Sequence, residues 1–264
     1  MVDVNLNVNP YYDDYDETKD FQKILFKPSF AVQARELTQL QTILEKQISR
    51  HGDHIFQEGS VVDGLNRSLD LTLDYVRIKD LDLNSNNVDV SVFKGKTVKG
   101  LTTGCEALVV NVGDGTEGTN ITAKTGPKTL FLQYDKTGTD NSTRFFAKGE
   151  TIVVVADDTI KCITLSDEKY RGFGSQVQID KGIVYAKSKF LFVQKQVTIL
   201  DRYSFFPTLK VGYDITNNFI GIDSDSTLLD PAQGSPNFNA PGADRLQYQL
   251  TLNTREVDST DLDD

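Results

Sequence analysis

Two histidines, His51 and His54, are by type the residues best suited to hold a metal or move a proton, and they stand three apart in His51-Gly52-Asp53-His54. A zinc-hydrolase helix needs histidines four apart with an adjacent glutamate. Here Gly52 falls between them and reads as a helix stop. The chain has no third histidine and only two cysteines, short of a zinc ligand set. The pair therefore reads as helix-end capping. Asp80, Asp82, Asn84 and Asn86 alternate like the first half of a calcium loop, but Ser85 and Ser91 stand where that loop needs Gly and Glu. They read as turn residues. The sequence contains neither a nucleophile elbow nor a phosphate-binding loop. Carboxylates are plentiful, yet a glycosidase pair is defined by its separation in space, which sequence spacing does not give. Asn66, Asn120 and Asn141 begin glycosylation-type triplets that matter only in a secreted eukaryotic protein. Cys105 and Cys162 are too few for a disulfide framework and read as free thiols acting as small apolar groups. The expectation is a non-enzyme with no catalytic residue, no cofactor and no metal.

The element that must carry the two histidines is the one long helical pattern, Phe30 to His54. Pro28 precludes helix before it, and Ser29 suits an N-cap. Ala34, Leu37, Leu40, Ile43, Leu44 and Ile48 recur at three- and four-residue spacing and form one apolar stripe. Arg50 and His51 suit the last turn, and Gly52 suits the residue beyond it. Leu37, Leu40 and Leu44 have coiled-coil spacing, but the heptad then wants an apolar residue where Gln47 stands. The other use of the stripe is to pack on the chain's own sheet.

Ahead of the helix, residues 1–29 form an aromatic and acidic arm with Tyr11, Tyr12 and Tyr15 among Asp13, Asp14, Asp16 and Glu17. Such a segment either packs within its chain or orders on a neighbour. Behind the helix the period changes to two. Leu69, Leu71 and Leu73 alternate with Asp70, Thr72 and Asp74, which predicts a strand with one buried face. Short apolar runs between turn signals over 84–160 predict a small inserted β-barrel or sandwich. Strands resume at 160–165, 176–179, 183–186, 190–193, 197–200, 209–213 and 219–222, with a last one at 247–254. The fold class is thus mainly β (α+β), with one long helix packed against a β-rich body. The division is arm 1–29, helix-plus-sheet assembly domain 30–83 and 161–254, inserted module 84–160, and acidic tail 255–264.

The net charge of −10 disfavours a nucleic-acid coat, which needs a basic surface to displace counterions. It suits docking to a basic partner. No run of eighteen apolar residues predicts a membrane span, and the first residues lack the pattern of a signal peptide.

Two stretches are more specific. Residues 9–48, NPYYDDYDETKDFQKILFKPSFAVQARELTQLQTILEKQI, and residues 203–215 with 228–252, YSFFPTLKVGYDI and LLDPAQGSPNFNAPGADRLQYQLTL, together resemble an uncharacterised family of tailed-bacteriophage virion proteins. The family is frequent in cyanophages, and its members resemble the N-terminal parts of baseplate or tail-fibre proteins. The resemblance implies a virion structural protein, made in the bacterial cytoplasm, that anchors or connects fibres through contacts with other tail or baseplate proteins. It also implies a homo-oligomer, with a trimer favoured, and carries over no catalytic residue. The interaction residues it points to are Tyr11, Tyr12, Tyr15, Leu37, Leu40 and Leu44. The alternative is a receptor- or glycan-binding module of a fibre, using the loops at 113–120, 135–143 and 228–244.

Overall fold

The computed structural model describes residues 4–82, 85–115, 127–204 and 206–257. The protein is mainly β. The one α-helix among the described residues, α1, spans Ala34–Ile55. The strands are β1 (Ser60–Gly64), β2 (Arg67–Arg77), β3 (Thr97–Gly100), β4 (Glu106–Gly113), β5 (Thr129–Lys136), β6 (Thr151–Val154), β7 (Asp157–Ile163), β8 (Arg171–Ile179), β9 (Gly182–Ala186), β10 (Lys189–Val193), β11 (Gln196–Asp201), β12 (Leu209–Ile220) and β13 (Arg245–Glu256).

Eight of these form one antiparallel sheet in the order β11-β8-β2-β5-β4-β3-β6-β7. The strands expected in an insert over 84–160 are therefore hydrogen-bonded into the same sheet as β2 and β8, through β5 against β2. The sheet curls until Thr164, just past β7, makes a single antiparallel bridge with Ile78, just past β2. It is not a closed barrel. Inside the curl lies the larger core, where Val76 and Ile78 meet Phe93, Val98, Val109, Leu130, Phe146, Ile152 and Cys162. Cys105 and Cys162 are free and buried there, as their small apolar character predicts.

One buried carboxylate organises a corner of this core. Glu150 accepts from the backbone amides of Thr102 (2.8 Å), Thr103 (2.6 Å) and Ala147 (2.6 Å), and from the Thr103 hydroxyl. Gly100 leaves the room, since a Cβ there would lie 2.4 Å from Glu150 Oε1. A carboxylate can be this buried because its lone pairs replace water for several orphan amides at once.

The remaining strands build a second unit. β1, β9 and β10 form a three-stranded sheet. β12 and β13 pair over twelve residues as a long ribbon, and the Gln196 side chain fastens it to the body. Its amide donates to the Leu250 carbonyl and accepts from the Leu252 amide, both at 2.7 Å. Leu65, Val177, Val184, Leu191, Leu200, Leu250 and Leu252 fill the core between these pieces.

Several sequence expectations need correction. β12 runs unbroken through Asp214–Asn218, because β13 supplies a partner at every position of that polar stretch. The helix, expected to end at His54, closes on Ile55. Val90–Phe93 is a 3₁₀ turn that buries Val90 and Phe93. Leu69 and Leu71 lie exposed, and only Leu73 of that alternation is buried. The register of β2 against β8 shifts between Asp70 and Leu73, which changes how the strand presents its side chains.

Candidate assembly surface

The helix begins later than the sequence suggests. Ser29 has a φ of +67° and is not the cap. Gln33 is, and its amide donates to the Glu36 carboxylate at 2.9 Å. At the far end α1 continues through Gly52 to Ile55. Gly52 is buried and acts as a notch rather than a stop, because a Cβ there would lie 2.5 Å from Cε2 of Tyr185.

Tyr185 on β9 is the pivot on which α1 meets the body. It is almost fully buried, and its hydroxyl donates to Asp53 Oδ1 at 2.6 Å, with the Ser49 carbonyl 3.1 Å away. Burial, then the bond to the Asp53 carboxylate, push its phenol up to about 12. Phe56 and Phe190 pack on its ring at 5.5 and 5.0 Å between centroids. The turn joining β9 to β10 has positive φ at both Lys187 and Ser188, a two-residue hairpin geometry usually given to Asn-Gly. Carboxylates from the helix end hold it. Glu58 accepts from the Lys187 amide at 2.8 Å, and Asp53 accepts from the Ser188 hydroxyl at 3.2 Å. Lys189 pairs with Glu45 at 3.2 Å.

A second polar flank of the helix is held by the arm. Asp13 is buried and accepts from the Thr42 hydroxyl. Asp14 pairs with Arg35 at 2.8 Å, Glu17 pairs with Arg50, and Gln22 accepts from Gln47 at 3.4 Å. Tyr11 anchors the arm to the ribbon. It stacks on Phe219 at 5.8 Å and donates to Asp244 Oδ2 at 2.7 Å, a bond that raises its phenol above the usual value. Tyr15 is half-buried in a polar cleft of about 820 Å³ between arm, helix and ribbon. Tyr12 points outward, more than half exposed. Of the three tyrosines, only Tyr12 is free of the fold's own packing in this way.

The consequence is an inverted helix. Thr38, Thr42, Ser49 and Gly52 face protein, while Leu37, Leu44, Ile48 and Ile55 are each 51–57% exposed. At 100° per residue these four fall within about 40° around the axis and run about 27 Å along it. Leu40 is half-buried and Ile43 is buried, so they do not belong to the exposed line. Sequence reasoning grouped Leu37, Leu40, Ile43, Leu44 and Ile48 with Ala34 in one stripe and left out Ile55. The small residues at 38, 42, 49 and 52 were the available signal that the opposite flank could approach a body closely. Arm residues Phe21, Leu25, Phe26 and Phe30 are exposed as well.

Chemistry-bearing residues do not converge elsewhere. His51 and His54 lie on exposed helix surface. Among the described residues no three His, Cys, Asp or Glu side chains are placed to hold a metal. Asp82 caps its own turn, accepting from the Asn86 amide at 2.8 Å. Asn84, Asn120 and the tail residues 258–264 lie outside the described residues, as does most of the loop at 113–120. Among the described residues no helix is long and apolar enough to cross a membrane.

Comparison with known proteins gives one match. A family described as a domain of unknown function (DUF4815) matches residues 9–126. That span holds the arm, α1 and β1 to β4, under half of the chain. No curated protein and no solved structure matches the chain.

Proposed function

We propose that the chain is a structural component of a bacteriophage tail, a baseplate or tail-fibre protein that connects fibres to the tail through protein–protein contacts. The observation that carries this reading is the apolar line on α1, turned to solvent on an acidic protein while the helix's polar flanks are used inside the fold. Monomers rarely leave such a line uncovered without a partner. The resemblance of residues 9–48, 203–215 and 228–252 to tailed-phage virion proteins supports the setting. In this proposal the protein is not an enzyme and needs no cofactor. It resides in the virion, contacts tail or baseplate neighbours rather than nucleic acid or membrane, and works as a homo-oligomer. The resemblance implies a trimer. Tyr12, Leu37 and Leu44 are contact residues, with Leu40 at their margin, while Tyr11 and Tyr15 hold the arm that frames them. The β unit over 84–160 serves as a barrel-like body carrying the assembly elements. Immunodetection in purified particles from the infection that expresses this chain tests the reading. A fixed copy number per tail is expected, and absence from purified tails refutes it.

A further inference from the structure

We infer that the exposed line of α1 is a homotypic seam: its occupant is the same face of a second copy of this chain. This deepens the assembly reading above by naming the partner. Leu37 and Leu44 are seven apart, Ile48 and Ile55 are seven apart, and the step between the pairs is four. Those spacings place leucine at the d positions and isoleucine at the a positions of consecutive heptads, with Gln41 and His51 filling the intervening places. The seam expected from Leu37, Leu40 and Leu44 failed at Gln47. The exposed seam does not pass through Gln47 at all.

Charge selects the occupant. Around the axis, the residues flanking the line within about 60° are Gln33, Ala34, Leu40, Gln41, His51 and Gly52, with no carboxylate, lysine or arginine. Glu36, Glu45, Lys46, Arg50 and Asp53 all project further round. A chain of net charge −10 repels its own copies over most of its surface, but not here. A basic partner would gain nothing from so neutral a strip, whereas an identical neutral strip meets it without like-charge cost.

Area is sufficient. Phe56 follows Ile55 directly and packs edge-on against Phe190 at 5.5 Å. Phe192 lies two residues on, along the same face of β10, and is 56% exposed. The apolar line thus continues from the helix onto the β1-β9-β10 sheet. Four half-exposed aliphatic side chains and two half-exposed phenylalanines offer on the order of 600 Å² per copy. Doubled, that reaches the roughly 1,000 Å² a specific interface needs.

Solution mass of the full chain tests this. The wild type is expected at a multiple of 29.4 kDa. Leu44→Glu with Ile48→Glu is expected to fall to the single-chain mass with unchanged near-ultraviolet circular dichroism, since both side chains are exposed. Val155→Glu, an exposed apolar site elsewhere, should keep the wild-type mass. Leu44→Cys should form an inter-chain disulfide under mild oxidation, because Cys105 and Cys162 are buried and do not compete. A wild type that stays at 29.4 kDa with no Leu44→Cys cross-link overturns the seam, as does a double variant that keeps the wild-type mass. Particle content separates this from the tail reading. A chain present in tails whose double variant incorporates normally overturns the seam alone. A self-associating chain absent from tails overturns the tail reading alone.

Discussion

Gly52→Ala is the substitution for which sequence and structure predict opposite outcomes. In a solvent-facing helix interior, replacing Gly by Ala stabilises by about 1 kcal/mol. Here the new methyl would lie 2.5 Å from Cε2, 2.6 Å from the hydroxyl oxygen and 2.7 Å from Cζ of Tyr185. That ring cannot simply swing away. Phe56 and Phe190 flank it, and its hydroxyl is bonded to Asp53. Overpacking a filled site costs about 1–3 kcal/mol. Displacing the ring also strains or loses a hydrogen bond to a charged acceptor, about 1.5–3 kcal/mol. After the helix-propensity gain, the expected net loss is about 1.5–5 kcal/mol in urea unfolding followed by circular dichroism. In a Tyr185→Leu background, where the phenol ring is gone, the same Gly52→Ala change should become neutral or stabilising by up to about 1 kcal/mol. A gain of about 1 kcal/mol in the wild-type background would refute the notch, and with it the orientation that turns Leu37, Leu44, Ile48 and Ile55 outward.

Three further outcomes follow from buried groups. Glu150→Ala leaves three backbone amides around a buried corner without their acceptor and should cost about 3 kcal/mol in the same assay, with Glu150→Gln intermediate. Tyr185 keeps its proton more tightly folded than unfolded, so the stability it contributes is complete below about pH 10 and is lost as pH rises towards about 12. Phenolate absorbance should show a late step that Tyr185→Phe removes. Burial pushes the Cys162 thiol up to about 12, so a disulfide reagent should leave it unmodified in the native chain and modify it only at the rate of unfolding.

The strands were legible wherever burial imposed a local pattern. β4, β5, β6, β9, β10 and β13 lie on the apolar runs the sequence marked: β4, β10 and β13 because a half-buried strand repeats every second residue, and β5, β6 and β9 because a strand buried on both faces is apolar at consecutive positions. The polar middle of β12 was not legible, since its order comes from the opposing β13 and not from its own side chains. Ser29 and Gly52 carried the right chemistry for caps and the wrong context. What decides a cap is where the chain enters and leaves the turn, which the arm and Tyr185 set from outside the helix.

The sequence by itself determined that α1 exists, that it is amphipathic, and that the chain is acidic with only two cysteines and two histidines to offer a metal. Only the tertiary structure decided which face of α1 turns inward. Periodicity records that an apolar face exists but not what lies opposite it. Here Asp13, Asp14 and Glu17 from the arm and Glu45 and Asp53 from the helix engage polar partners across the fold, and with Gly52 admitting a tyrosine ring the polar side packs and the apolar side faces solvent.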